Sequence, residues 1–220
     1  MLREIYLSPA GRIISLIMRV VAYLKQPFMV YGYRDRVSGK FRKFTRISSS
    51  AVLGDSHNIS IDDNVWIWHH SIVDGSNGVS IGEGCQIGAW VGIFTHGSQV
   101  SVRLYGNKYI NTNKEDRKGY TRAGVKIGQY AFIGAGATIM PGVSIGNGAL
   151  IAAGAIVSCD VPDFGIARGS PAKVVGDVRK LDEKYWNDSD LQDLYFDQAG
   201  RTAWIEKKSR TLADDNGRGN

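Results

Sequence analysis

With 220 residues the chain is long enough for one domain with appendages, and its 27 glycines fit a fold rich in corners. Two cysteines make no disulfide framework, and with no secretory signal they point to a reducing cytoplasm. The net charge of +6 is moderate, and in the absence of an aromatic-rich basic motif for single strands nucleic acid is excluded as the expected partner.

In chain order, Ser8 before Pro9 reads as an N-cap and a first helical position, and Ile13, Ile14, Ile17, Val20, Val21 and Leu24 then form a helical stripe. Arg12, Arg19 and Lys25 interrupt the apolar run, so the segment is too short and too charged to span a bilayer and lacks a signal-peptide pattern. Residues 9–25 are expected either to pack on the rest of the protein or on a sister subunit, or to rest as a basic amphipathic helix on a membrane surface. Residues 27–50 mix Phe28, Tyr31, Tyr33, Phe41 and Phe44 with Arg34, Arg36, Lys40, Arg42, Lys43 and Arg46, and complete an N-terminal helix and lead-in over 1–50.

From 51 to 176 the dominant signal has a period of six. Aliphatics stand at Ile61, Ile67 and Val73, skip two extra residues within 74–80, resume at Ile81, Ile87 and Ile93, and form an unbroken column at Ile127, Ile133, Ile139, Ile145, Ile151 and Val157. Four residues after each member of that column comes Ala131, Ala137, Val143, Ala149, Ala155 or Val161. Helical stripes recur at 3.6 residues and one-sided strands at two, so a strict six means short strands joined by regular corners, an all-β solenoid. Three strands per turn make a triangular coil of eighteen residues. Ile61, Ile81, Ile127 and Ile145 then share one face, and Ile67, Ile87, Ile133 and Ile151 the next. Sandwich strands would need turn signals at wider, irregular spacing. Cys85 falls on an inward small position and reads as a packed thiol. The Gly-x-Gly pairs at Gly82/Gly84 and Gly146/Gly148 are corners with no crossover helix after them, so they are no dinucleotide fingerprint.

The hexad breaks over 97–124. This excursion carries Arg103, Lys108, Lys114, Arg117, Lys118 and Arg122 against Glu115 and Asp116, departs directly after His96, and has the length of a functional loop. Beyond Gly176 the region 180–208 reads as helical, with Ser189 and Gln192 as a capping box, and is expected to cap the open end of the solenoid. Residues from about 211 onward read as a frayed tail within a terminal unit 177–220.

The residues Val125, Lys126, Ile127 and Gly128, the run from Ile139 through Pro141 to Gly146, Ile151 to Ala155, and the closing Gly169, Ser170, Pro171, Ala172 and Lys173 resemble the hexapeptide-repeat acyltransferases, whose fold is a left-handed parallel β-helix. Within them the chain is most similar to galactoside, maltose and surface-polysaccharide O-acetyltransferases. The resemblance implies acetyl-CoA as co-substrate, a homotrimer with active sites between subunits, and no metal. It further implies a catalytic histidine at His96, which follows Thr95 and precedes the loop, as in those enzymes. Imidazole, with an ordinary pKa of about 6.5, suits a base that takes a proton from an attacking hydroxyl.

The stacking register adds its own argument. Two residues after the aliphatics of the second face come His69, Ala89, Ala135 and Ala153, a shallow track beside exposed backbone on which a long thin ligand can lie with its reactive end near His69. By resemblance the coenzyme follows such a groove, using backbone at Ala135 and Ala153, an aromatic at Phe132, and side chains near Ser158, Cys159 and Lys173; Cys159 stands where a basic residue is common. His69 either binds the acceptor or is a satisfied surface histidine, and His70 is a weaker acceptor candidate. The expectation is an acetyl-CoA-dependent sugar O-acetyltransferase of a bacterial surface polysaccharide or its precursor, cytoplasmic or peripheral on the inner membrane. N-acetylation of an amino-sugar nucleotide differs only in the acceptor. A metal lyase similar to the γ-class carbonic anhydrases is the rival of another class, with His69, His70 and His96 as its imidazoles.

Overall fold

The computed structural model of the chain describes residues 8–217. Its hexads form three parallel sheets wound as a three-sided solenoid. Sheet A contains Phe41–Ser48, Trp66–Ile67, Gln86–Ile87, Phe132–Ile133, Leu150–Ile151 and Gly165–Gly169; sheet B contains Val52–Gly54, Ile72–Asp74, Gly92–Ile93, Thr138–Ile139 and Ile156–Val157; sheet C contains Ile59–Ile61, Val79–Ile81, Val125–Ile127 and Ser144–Ile145.

The register follows the aliphatic hexads. Ile61, Ile81, Ile127 and Ile145 pair in succession in sheet C, and Ile67, Ile87, Ile133 and Ile151 do so in sheet A. Val73, Ile93, Ile139 and Val157 complete the third column. Every one of these side chains is essentially inaccessible, so the core is a thin aliphatic rod. Each fully buried isoleucine contributes about 1.5–3 kcal/mol to the fold. The small partners Ala131, Ala137, Ala149 and Ala155 are buried beside them and leave no room for a second large side chain. Coils also touch backbone to backbone at the corners. At Gly134 an added Cβ would lie 2.5 Å from the Ala153 amide nitrogen.

One corner of the rod, between sheets A and B, turns through left-handed residues in four successive coils: His70, Trp90, Gly136 and Gly154, with φ of 60°, 55°, 70° and 69°. Glycine is the ordinary occupant of that conformation, so a histidine and a tryptophan there are held by the coil and aim large rings outward. Both ends of sheet A are closed by antiparallel hairpins. Met29–Arg34 covers Phe41–Ser48, and Ala172–Asp177 doubles back on Gly165–Gly169.

The appendages differ from the sequence reading in three respects. Helix α1, Pro9–Leu24, is capped by the Ser8 hydroxyl, which accepts from the Gly11 amide at 3.1 Å, but its apolar side chains are exposed rather than packed on the solenoid. The region after Gly176 does not begin a long helix at Ser189. It makes a short turn of helix α3, which follows the five-residue loop helix α2 (Ser101–Tyr105), and α3 spans Arg179–Asp182; α4, Gln198–Gly217, then runs through most of the expected tail. Phe196, between the two helices, stacks on Tyr130 and lies at a tilt against Phe164, so this segment lies along the side corner between sheets C and A while the terminal hairpin closes the end of sheet A. Residues 1–7 of the lead-in and 218–220 of the tail lie outside the described residues.

Candidate active site

The corner between sheets B and C is built around His96. Val73 and Ile93 are register partners twenty residues apart, and the same offset sets Ser76 beside His96 one coil on. Asp74, the last residue of its strand, places Oδ2 2.7 Å from His96 Nδ1, and the Ser76 hydroxyl lies 3.2 Å from the same nitrogen. Nδ1 therefore carries the proton and donates to the carboxylate, which leaves the Nε2 lone pair free as a base. The imidazole is 41% exposed and the Asp74 side chain only 13%.

Asp74 is held in turn. Its carboxylate accepts the Thr95 amide at 2.9 Å, the Thr95 hydroxyl at 2.8 Å, the Ser76 amide at 3.1 Å and the Ser76 hydroxyl. Burial pushes its pKa up, but these donors outweigh burial and hold the carboxyl well below the usual carboxylate range. Thr95 is fully buried, and its hydroxyl oxygen accepts the Asn77 amide at 3.0 Å. Asp74 at the end of its strand and Ser76 just after it thus build the support of the imidazole.

The excursion over 97–124 folds back on this corner. His96 and Gly97 pair antiparallel with Arg122 and Thr121, and the Ala123 amide donates to the Thr95 carbonyl at 3.0 Å. Tyr120 lies parallel to the His96 ring with centroids 5.9 Å apart, and the Arg122 guanidinium sits 4.5 Å from the Tyr120 centroid. The loop is stapled internally by Tyr105, whose hydroxyl donates to the Asp116 carbonyl at 2.9 Å and accepts the Lys118 amide at 3.0 Å.

The alanine track lies at the other corner, between sheets A and B. The amides of Trp90, Gly136 and Gly154 donate to the carbonyls of His69, Ala89 and Ala135 at 3.0, 2.8 and 2.9 Å, so His69, Ala89, Ala135 and Ala153 stand one above another. Ala135 and Ala153 are exposed. Trp66, Trp68, Gln86, Ala89, Phe132 and Ala135 line a cavity of about 290 Å³ beside the track. His69 Nδ1 lies 2.7 Å from the Ser48 hydroxyl, and His70 stacks on Trp90 with ring centroids 6.0 Å apart. Ser158, Cys159 and Lys173 are exposed in the last coil, where Cys159 Sγ contacts the Ala172 carbonyl at 3.9 Å and Lys173 pairs in register with Arg168. Cys85 is the packed thiol expected of it: burial pushes its pKa up to about 12, and it donates to the Gly128 carbonyl.

Within one chain, then, His69 and His70 occupy one corner and His96 the next, separated by the width of sheet B. No hydrogen bond or ring contact joins the two groups among the described residues, nor does any set of three or more His, Cys, Asp or Glu side chains there converge on a point that would hold a metal ion. Sequence reasoning missed Asp74, Ser76 and Tyr120; the twenty-residue offset shared by Val73/Ile93 and Ser76/His96 was the available signal for Ser76.

Comparison with known proteins agrees with this architecture. Residues 124–159 match the model of bacterial transferase hexapeptide repeats, and residues 58–97 match that of the hexapeptide repeat of succinyl-transferase. A probable serine acetyltransferase of Oryza sativa subsp. japonica is 34% identical over 177 residues, covering 80% of this chain and 46% of the relative. A putative acetyltransferase of Saccharomyces cerevisiae is 37% identical over 129 residues, covering 58% of each. The chain thus spans about half the length of the curated relatives it matches. A solved galactoside acetyltransferase in complex with coenzyme A superposes with a TM-score of 0.53 at 26% identity, covering 63% of this chain and 64% of that one. The stacked hexads and the two repeat matches identify the solenoid as one of hexapeptide repeats, and the chain is similar in sequence and fold to acetyltransferases built on them.

Proposed function

We propose that the chain is an acetyl-CoA-dependent O-acetyltransferase that acts on a sugar hydroxyl, of a surface polysaccharide or its precursor, from a left-handed coil assembled as a homotrimer. The observation that carries this reading is the His96 imidazole, held through Nδ1 by a carboxylate that stays ionised, with Nε2 free at a corner framed by a basic loop. In the proposed reaction Nε2 takes the proton of the acceptor hydroxyl as its oxygen bonds to the thioester carbonyl carbon. The tetrahedral intermediate then expels the thiolate, which recovers that proton from the imidazolium. Backbone amides at the corners stabilise the oxyanion. The acyl donor lies along Ala135 and Ala153 beside Phe132, with Ser158, Cys159 and Lys173 toward its phosphate end; Lys173 suits a phosphate as a point charge. His69 and His70 contact the acceptor.

The test is thioester consumption with acetyl-CoA and a panel of sugars, glycans, an amino-sugar nucleotide and L-serine, which the rice relative's name brings into the panel. His96→Ala is expected to lower turnover by about 10²–10⁴-fold with acetyl-CoA binding retained. Full activity in that variant places the base elsewhere. Failure of the wild type to bind any acyl-CoA removes the transferase reading and makes metal analysis the next measurement.

A further inference from the structure

We propose that residues 8–46 form a docking surface for an anionic lipid bilayer, independently of what the solenoid acetylates. Helix α1 is the starting point. Ile13, Ile17, Val20, Val21 and Leu24 share one of its faces, with Ile13 62% and Leu24 75% exposed, while Ser15 and Arg19 stand on the opposite face. That is the pattern of a helix lying in the interface plane, and no helix among the described residues is long and apolar enough to cross a membrane.

The adjoining hairpin of sheet A continues the same chemistry. Phe28, Tyr31, Phe41 and Phe44 are each at least 60% exposed, interspersed with exposed Arg34, Arg36, Lys40 and Lys43. Aromatic rings among cations are the composition of a surface that sits at headgroup depth.

Charge selects the occupant. Between residues 8 and 46 the sequence has nine Lys and Arg and a single acid, Asp35. Asp35 is fully buried and accepts both the amide and the hydroxyl of Ser38, so it presents no charge outward. Arg42 is paired with Asp62 at 2.7 Å, Arg46 lies over the Tyr31 ring, and Arg19, Lys25, Arg34, Arg36, Lys40 and Lys43 are exposed. The segment is thus more positive than the whole chain, at +8 by these residues against +6. A second copy docking face to face would set this charge against itself. An anionic bilayer gains from it instead, by about fivefold in affinity for each cation near the surface.

The experiment is co-sedimentation of the full chain with vesicles of pure phosphatidylcholine and with vesicles containing phosphatidylglycerol, at low and high salt. Wild type is expected to partition at least about tenfold more strongly onto the anionic vesicles at low salt and to come off at high salt. Ile17→Asp is expected to lower partition by about tenfold, since it forfeits one aliphatic side chain buried in the bilayer interface, and to leave thermal unfolding nearly unchanged because Ile17 is 57% exposed and lies outside the buried core. Lys40→Glu/Lys43→Glu is expected to remove most of the preference for anionic lipid. No binding, or equal binding to both vesicles, overturns the proposal. A change of native mass in Ile17→Asp with no change in partition also overturns it and assigns the helix to a contact between copies.

Discussion

The reacting atom of the proposed site owes its direction to a carboxylate that the protein over-supplies with donors. Asp74 accepts from His96, Ser76 and Thr95, and its pKa is depressed. Asn at this position keeps the shape but turns an NH₂ group toward those donors. Turnover of Asp74→Asn is expected to fall by about 10²-fold with the KM for acetyl-CoA unchanged, because the residue orients the imidazole and does not touch the donor. The sign of its effect on stability is fixed by the depressed pKa: the ionised form contributes above the ordinary carboxylate range and is lost as pH falls through the lower folded value. Wild type is therefore expected to stay more stable to denaturant than Asp74→Asn above about pH 5, with the difference shrinking below about pH 4. A difference that instead vanishes near neutrality would show that the carboxylate is not held as described. His96 was singled out through the resemblance, by its place after Thr95 at the end of a coil face; Asp74 was not, because the hexad marks only what faces inward and Asp74, at the end of its strand, stands just past the inward Val73.

At the level of elements, the strands were the most readable part of the chain, since a column of aliphatics recurring every six residues admits only one stacking. The corners contribute as much by what they lack. Gly134→Ala sets a methyl group against the Ala153 amide and the Ile151 carbonyl of the next coil, at 2.5 and 2.8 Å before relaxation. It is expected to cost about 1–3 kcal/mol in denaturant unfolding, the ordinary penalty of overpacking. Where local chemistry had competitors, the reading failed. The capping box at Ser189 starts no helix because Asp188 Oδ1 accepts the Asp190 amide at 2.9 Å and closes a turn there, so the long helix begins only at Gln198. The excursion over 97–124 was legible as basic and as adjacent to His96, but the stacking of Tyr120 on that ring follows from a return strand of two residues, too short to leave a pattern. Tyr120→Ala frees one face of the imidazole and loosens the loop. If the loop frames the acceptor, its KM is expected to rise about tenfold with acetyl-CoA binding unchanged; an unchanged acceptor KM would leave the loop a solvated appendage.

The whole molecule poses a geometric problem that a single chain does not solve. His96 stands at the corner between sheets B and C, and the track of His69, Ala89, Ala135 and Ala153 at the corner between sheets A and B. The rod between them is filled by Ile93, Ile139 and Val157, so no side-chain motion brings the two corners together. The proposed cyclic trimer would, by setting one corner of each copy against the other corner of its neighbour, and it would also cover Trp68, Trp90 and Phe132, large rings that one chain leaves 45–67% exposed. This arrangement makes a quantitative prediction for mixed assemblies. His96→Ala and His69→Ala are each expected to lower activity alone. When the two variants are unfolded together in equal amounts and refolded, about one interface in four pairs the intact His96 of one copy with the intact His69 of the next, so activity is expected to recover to about a quarter of wild type. The same mixture assembled without exchange of subunits should show no recovery, which controls for contamination by wild type. If random mixing also restores nothing while both variants retain native mass and bind acetyl-CoA, the two histidines do not share a site across subunits, and His69 reverts to a surface residue satisfied by Ser48.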